Sequence, residues 1–230
     1  MIFKLAPSRE NYYQINNWLK TEFSDCNEGF FANIHIIGEA FDSNEFIIVE
    51  VEEVAVAFVV YTLRDYTAKI DIISVSPRTR SEGIGKFIFQ EFRKMVIEKG
   101  LVLINLECSP LSSNSYWRKF GFIDLPWSSV GLREYLYMNV VPNQISKNSI
   151  SQNMIELWYK EQEGRDDNTD PNIIWHLPLE HPIIHPCMPD WRIRLTIDGK
   201  VVCDDKEKYF NSSIVKDDYY LLIPKETYFV

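Results

Sequence analysis

The chain has 230 residues, with 24 Lys plus Arg against 33 Asp plus Glu and a formal net charge of −9. Hydrophobic content of 46% and charged content of 25% are those of an ordinary globular protein and exclude a chain disordered throughout. The acidic balance argues against nucleic acid, which needs clustered basic charge, and against an anionic membrane surface.

Residues 1–5 read as a short strand. Ser8 is placed to cap a helix over about 9–23, where Tyr12, Ile15, Leu19 and Phe23 recur at helical spacing. Residues 24–44 read as irregular, with a short helix around 30–40. FIIVEV (46–51) and VAVAFVVYTL (54–63) are β-rich, and Glu52-Glu53 forms a hairpin turn between them. KIDIISV (69–75) is a third strand, stopped by Pro77. A helix follows over about 83–99, closed by Gly100. LVLINLEC (101–108) reads as a buried strand, and 112–120 as a short helix with Ser112 or Ser113 as cap. After Gly121-Phe122 come a strand and then EYLYMNVV (134–141). This order of elements is α/β.

The polar stretch 142–149 is the best boundary, dividing a domain over 1–141 from one over 142–230. In the second, 150–162 reads as a helix and the remainder as β. Its strands are 191–197 and 200–203, joined by a turn at Asp198-Gly199, and 218–224. His176, His181, His185 and Cys187 cluster here, but their spacing matches no structural zinc finger. Pro178, Pro182, Pro186 and Pro189 interleave them, so the expectation is a proline-rich connection that packs the histidines and Trp175, without a metal. Cys26, Cys108, Cys187 and Cys203 form no CxxC pair and read as free thiols. No apolar run reaches the ~18 residues that span a bilayer, and the first residues lack a signal-peptide core, so a cytoplasmic location is expected.

The chemistry sits in Val75 to Lys86, VSPRTRSEGIGK. A strand ends, a turn follows, and a helix begins at glycines. Helix N-termini offer unpaired N–H groups and partial positive charge. Glycine lets the backbone approach a phosphate closely. With Arg78, Arg80 and Lys86 around the turn, this is an anion site suited to a pyrophosphate. The dinucleotide fingerprint GxGxxG fails because only Gly83 and Gly85 are present, and a P-loop fails because Phe87 follows Lys86.

Arg80-Ser81-Glu82-Gly83-Ile84-Gly85 resembles the acetyl-CoA signature of the GCN5-related N-acetyltransferase (GNAT) family. IDIISVSP upstream resembles the family's preceding strand, and Tyr116-Trp117-Arg118-Lys119-Phe120-Gly121-Phe122 its second element. The resemblance covers about 1–141. It implies a mixed, mostly antiparallel central sheet flanked by helices; 142–230 lies outside the resemblance and reads from its own pattern as a smaller α+β segment rich in strands.

It also implies acetyl-CoA as co-substrate and an amine acceptor, small molecule or peptide. The pantetheine arm would pair with the backbone of Ile73 and Val75 in a gap between two strands. Backbone groups of Arg80, Ser81, Gly83, Ile84, Gly85 and Lys86 would hold the pyrophosphate. The family's tyrosine acid falls on Trp117, whose indole is no usable acid, so Tyr116 becomes the candidate. The family's asparagine falls on Pro110, and Asn114, out of register, is the candidate for its cofactor contact. Asp71 and Glu107 are the candidate bases.

Between Lys20 and Arg64 there is no lysine or arginine but nine carboxylates, from Glu22 to Glu53. In the resembling family this region borders the acceptor pocket, so a carboxylate-rich rim and a cationic acceptor are expected. The competing reading is a non-catalytic CoA-binding or protein-interaction module on a degenerate domain, and a third keeps the fold but takes a longer acyl-CoA. For 142–230 the roles open are capping the acceptor site, forming a homodimer, or binding a partner.

Overall fold

A computed structural model describes residues 1–64, 66–125, 134–140, 152–159, 169–179, 182–188, 190–206, 216–217 and 220–223. Strand β1 (Ile2–Lys4) leads to Ser8, which caps α1 (Arg9–Cys26). The Ser8 side chain accepts from the Asn11 N–H at 3.2 Å, and Asn11 Oδ1 accepts from the Ser8 N–H at 3.1 Å. This reciprocal box satisfies two donors that a helix start leaves open. A 3₁₀ turn at Phe31–Asn33 then feeds α2 (Ile34–Asp42).

Strands β2 (Phe46–Val51) and β3 (Val54–Arg64) pair antiparallel about the Glu52-Glu53 turn. Both turn residues have positive φ, 49° and 65°, which matches the twist of a two-residue hairpin. Strand β4 (Thr67–Val75) adds antiparallel to β3. Helix α3 (Ile84–Glu98) crosses back to β5 (Leu103–Cys108), which is parallel to β4. The short α4 (Asn114–Arg118), β6 (Ile123–Asp124) and β7 (Glu134–Asn139) follow. The seven-stranded order is β1-β2-β3-β4-β5-β7-β6, with β4 and β5 the parallel neighbours in a mostly antiparallel sheet. The expected α/β architecture with a mixed sheet is thereby borne out.

Strands have period two, so alternate residues reach opposite faces. Phe46, Ile48, Phe58 and Val60 pack with Ile15 and Leu19 of α1 and Ile37 and Ala40 of α2. The alternates Ile47, Val49 and Val59 are also fully buried, and α3 packs on β2, β3 and β4, with Phe92 5.5 Å from Tyr61. Burial on both faces explains the unbroken apolar runs of β2 and β3. Among the described residues, no helix is long and apolar enough to cross a membrane.

The chain divides into two compact units, 1–123 with 133–140, and 124–132 with 141–230. The boundary expected at 142–149 lies outside the described residues. In the second unit, β8 (Met154–Trp158), β9 (Ile173–His176), β11 (Arg192–Ile197) and β12 (Lys200–Lys206) form a four-stranded antiparallel sheet in the order β12-β11-β8-β9. Strands β10 (Ile183–Pro186), β13 (Lys216–Asp217) and β14 (Tyr220–Ile223) form another, in the order β10-β14-β13. Ile155, Leu157, Trp175, Ile193 and Leu195 of the first share one core with Ile183, Leu221 and Ile223 of the second.

The helix expected over 150–162 is corrected: Met154–Trp158 is strand β8. Its buried Ile155 and Leu157 alternate, and it pairs with β11 on one side and β9 on the other. Pairing partners 16 to 42 residues away in sequence override a weak local helical pattern. The proline-rich connection contains β10, whose His185 is 3% exposed. Among the described residues no group of side chains could hold a metal ion, and His181 lies outside them.

Candidate active site

Strands β4 and β5 pair from Thr67↔Leu103 to Ile70↔Leu106 and then part. Strand β4 runs on to Val75, still paired to β3, so its other edge from Asp71 onward faces a gap. A cavity of about 560 Å³ opens there. Its lining includes Ile73 and Val75 of β4 and, from the glycine-rich turn, Arg80, Ser81, Gly83, Ile84, Gly85 and Lys86. Asp71, Glu107, Tyr116 and Trp117 line it as well. Continuing the register by one step would set Asp71 opposite Glu107, so both carboxylates stand where the strands part.

The phosphate-type end is built by α3. Gly83 is its N-cap, with φ 82° and no capping side chain, so the first-turn N–H groups are left for a ligand. Gly85 leaves room for Tyr116: a Cβ there would lie 2.9 Å from Tyr116 Oη and 3.6 Å from Val75 Cγ2. The glycine therefore lets the tyrosine hydroxyl rest against the helix start. Tyr116 is 38% exposed, edge-on to Trp117 at 5.3 Å and to Phe120 at 5.0 Å. Burial raises its pKa, so the phenol stays protonated at neutral pH.

Trp117 is 4% exposed and packs edge-on to Phe89 at 5.5 Å and Phe122 at 5.4 Å. Asp71 accepts from Thr62 Oγ1 at 2.7 Å and pairs with Lys69 at 2.7 Å. Asn114 is not among the lining residues. Its amide donates to Glu134, and Arg118 donates to its carbonyl oxygen.

Three further expectations need correction. The Arg80 guanidinium does not stand free for an anion: it pairs with Glu22, and its Nε donates to the Val75 carbonyl at 3.1 Å. None of the nine carboxylates of 21–63 lines the cavity. Glu22 is taken by Arg80, Glu50 by Lys4 at 2.6 Å, and Asp42 by Arg9 at 3.3 Å. Local charge density along the chain thus says little about the cavity, where the carboxylates are Asp71 and Glu107. Ser113 caps nothing; its hydroxyl is buried in the cavity wall without a hydrogen-bond partner among the described residues. Phe30 and Thr79 also line the cavity and carried no sequence signal.

The family model described as "Acetyltransferase (GNAT) family" matches residues 12–122. Residues 12–122 form a GNAT acetyltransferase domain. Acetyl-CoA is therefore the expected co-substrate of an acyl-CoA N-acyltransferase. Among solved structures, an aminoglycoside 6'-acetyltransferase type Ii is 14% identical, with TM-score 0.51, covering 62% of this chain and 99% of that one. A GNAT-family protein from Desulfovibrio desulfuricans is 14% identical, with TM-score 0.50, covering 61% and 99%. Ard1 from Thermoplasma volcanium is 17% identical, with TM-score 0.48, covering 61% and 98%. For the first two the likeness is one of fold. No curated protein matches the chain.

The cavity has what acetyl-CoA needs: an uncapped helix end, an open strand edge and an orphaned hydroxyl at Ser113.

Proposed function

We propose that the chain transfers the acetyl group of acetyl-CoA to a primary amine that arrives as a cation. The observation that carries this reading is the fork between β4 and β5, with Asp71 and Glu107 where the strands part. Acetyl-CoA supplies the thioester carbon that the amine attacks, with coenzyme A leaving as the thiolate. The backbone N–H groups of Ser81, Gly83, Ile84, Gly85 and Lys86, with the Lys86 ammonium, hold the diphosphate. The free edge at Ile73 and Val75 pairs with the amides of the pantetheine arm.

Asp71 and Glu107 attract the ammonium, and one of them takes its proton, directly or through water. Tyr116 gives a proton to the departing thiolate. Its hydroxyl is protonated at neutral pH and lies beside the helix start, which supports this role. Correct placement of amine and thioester supplies much of the rate. Trp117 favours a second reading, in which the domain binds CoA without turnover: at the position of the family's acid stands a side chain committed to the aromatic core.

A thiol-release assay with acetyl-CoA over a panel of amines tests both. Turnover with cationic amines, with strong salt dependence of the acceptor KM and little for acetyl-CoA, is the expected result. A neutral or acidic best acceptor would sink the charge argument. CoA binding without turnover on any amine would favour the second reading.

A further inference from the structure

The last turn of α1 places Glu22 58 residues from Arg80 in sequence, yet the two form an ion pair. The Glu22 side chain is 4% exposed, and that of Arg80 is 49% exposed. Arg80 also holds the Val75 carbonyl at the end of β4. On its other side the Glu22 carboxylate fills the space at Gly29. A Cβ on Gly29 would lie 2.6 Å from Oε2, and φ there is +84°. The next residue, Phe30, lines the cavity, as do Val75 and Arg80. One buried carboxylate thus touches the turn that presents Phe30 and the loop that ends β4.

We infer that Glu22 is a positioning residue that couples cofactor occupancy to the Phe30 side of the cavity. This inference rests on the proposed acetyl-CoA reading. Arg80 cannot leave Glu22 for a diphosphate without stranding a buried charge, which is strongly unfavourable. Oε2 has no hydrogen-bond partner among the described residues, so no second cation stands ready to replace it. A ligand that settles on the N–H groups of 80–86 therefore holds Arg80, and through it Glu22 and the Gly29–Phe30 turn. By linkage, an acceptor packed on Phe30 tightens the cofactor by the same factor.

The test is hydrogen–deuterium exchange of the full chain with and without CoA, in wild type, Glu22→Gln and Gly29→Ala. Wild type should show slower exchange on CoA addition both at 79–86 and at 27–33. In Glu22→Gln the protection at 79–86 should persist and that at 27–33 should be lost. Gly29→Ala, which drives a methyl group into the carboxylate, should give the same loss by an independent route. Protection at 27–33 that persists in both variants means direct contact with CoA and overturns the coupling. Protection at 79–86 alone in wild type overturns it too, while leaving the cofactor reading intact. No protection at 79–86 in wild type removes the cofactor reading, and the coupling with it.

Discussion

Gly85→Ala separates packing from chemistry at this site. The added Cβ would meet Tyr116 Oη at 2.9 Å, where ordinary contact begins at 3.4 Å, so the hydroxyl must retreat by about 0.5 Å. Val75 Cγ2, at 3.6 Å, needs no movement. The fold does not suffer: Gly85 is a helical residue without positive φ, and alanine is favoured over glycine in helices by up to ~1 kcal/mol. Displacements of ~1 Å at a reacting group cost up to ~10²-fold in rate, so half that displacement should lower kcat by roughly 10-fold. Melting temperature should hold or rise while kcat falls.

The same change in a Tyr116→Phe background should have little further effect on kcat, because the atom it displaces is gone. Steady-state kinetics with saturating acetyl-CoA, run on the four members of this cycle, measures the coupling. Full kcat in Gly85→Ala, or a loss of equal size in the Tyr116→Phe background, refutes the assignment of Tyr116 as the acid.

Tyr116→Phe alone should lower kcat by about 10²-fold, within the usual range for a general acid, with the melting temperature nearly unchanged; a fully active variant would leave Tyr116 as packing only. Gly83→Trp should abolish CoA binding in a calorimetric titration, because the αL cap is lost and the ring blocks the uncapped helix end; unchanged affinity would refute the pyrophosphate assignment. Asp71→Asn and Glu107→Gln should each raise the acceptor KM by roughly 10-fold, the worth of a charge-assisted bond of about 1.5 kcal/mol, with little change for acetyl-CoA. Burial lowers the pKa of His185 to about 4, against ~6.5 in an unfolded chain. The unfolded chain therefore takes up the proton first as pH falls. This contribution to stability is complete above pH ~6.5 and declines toward pH 4 by as much as about 3 kcal/mol. Near-UV circular dichroism melts across that range should show the decline, and His185→Gln should flatten it.

Much of the first unit was legible because its signals are local. The Ser8 cap, the β2–β3 hairpin at Glu52-Glu53 and the strand–turn–helix around Gly83 and Gly85 each depend on residues within a few positions. Patterns of that range fix element type and place an anion-binding helix start on the chain. That turn supplies one end of the cavity lining, including Val75, Arg80, Ser81, Gly83, Ile84, Gly85 and Lys86.

What the tertiary structure decided were matters of partnership. Arg80 looks like a free cation in sequence, and only folding brings Glu22 against it. The carboxylate-rich stretch looks like a rim, yet none of its nine carboxylates lines the cavity, whereas Asp71, itself paired with Lys69, and Glu107 do. Met154–Trp158 looks helical until two strands flank it. Charge, burial and strand pairing are settled by neighbours distant along the chain, and a linear pattern of residue types carries no record of which of them will meet.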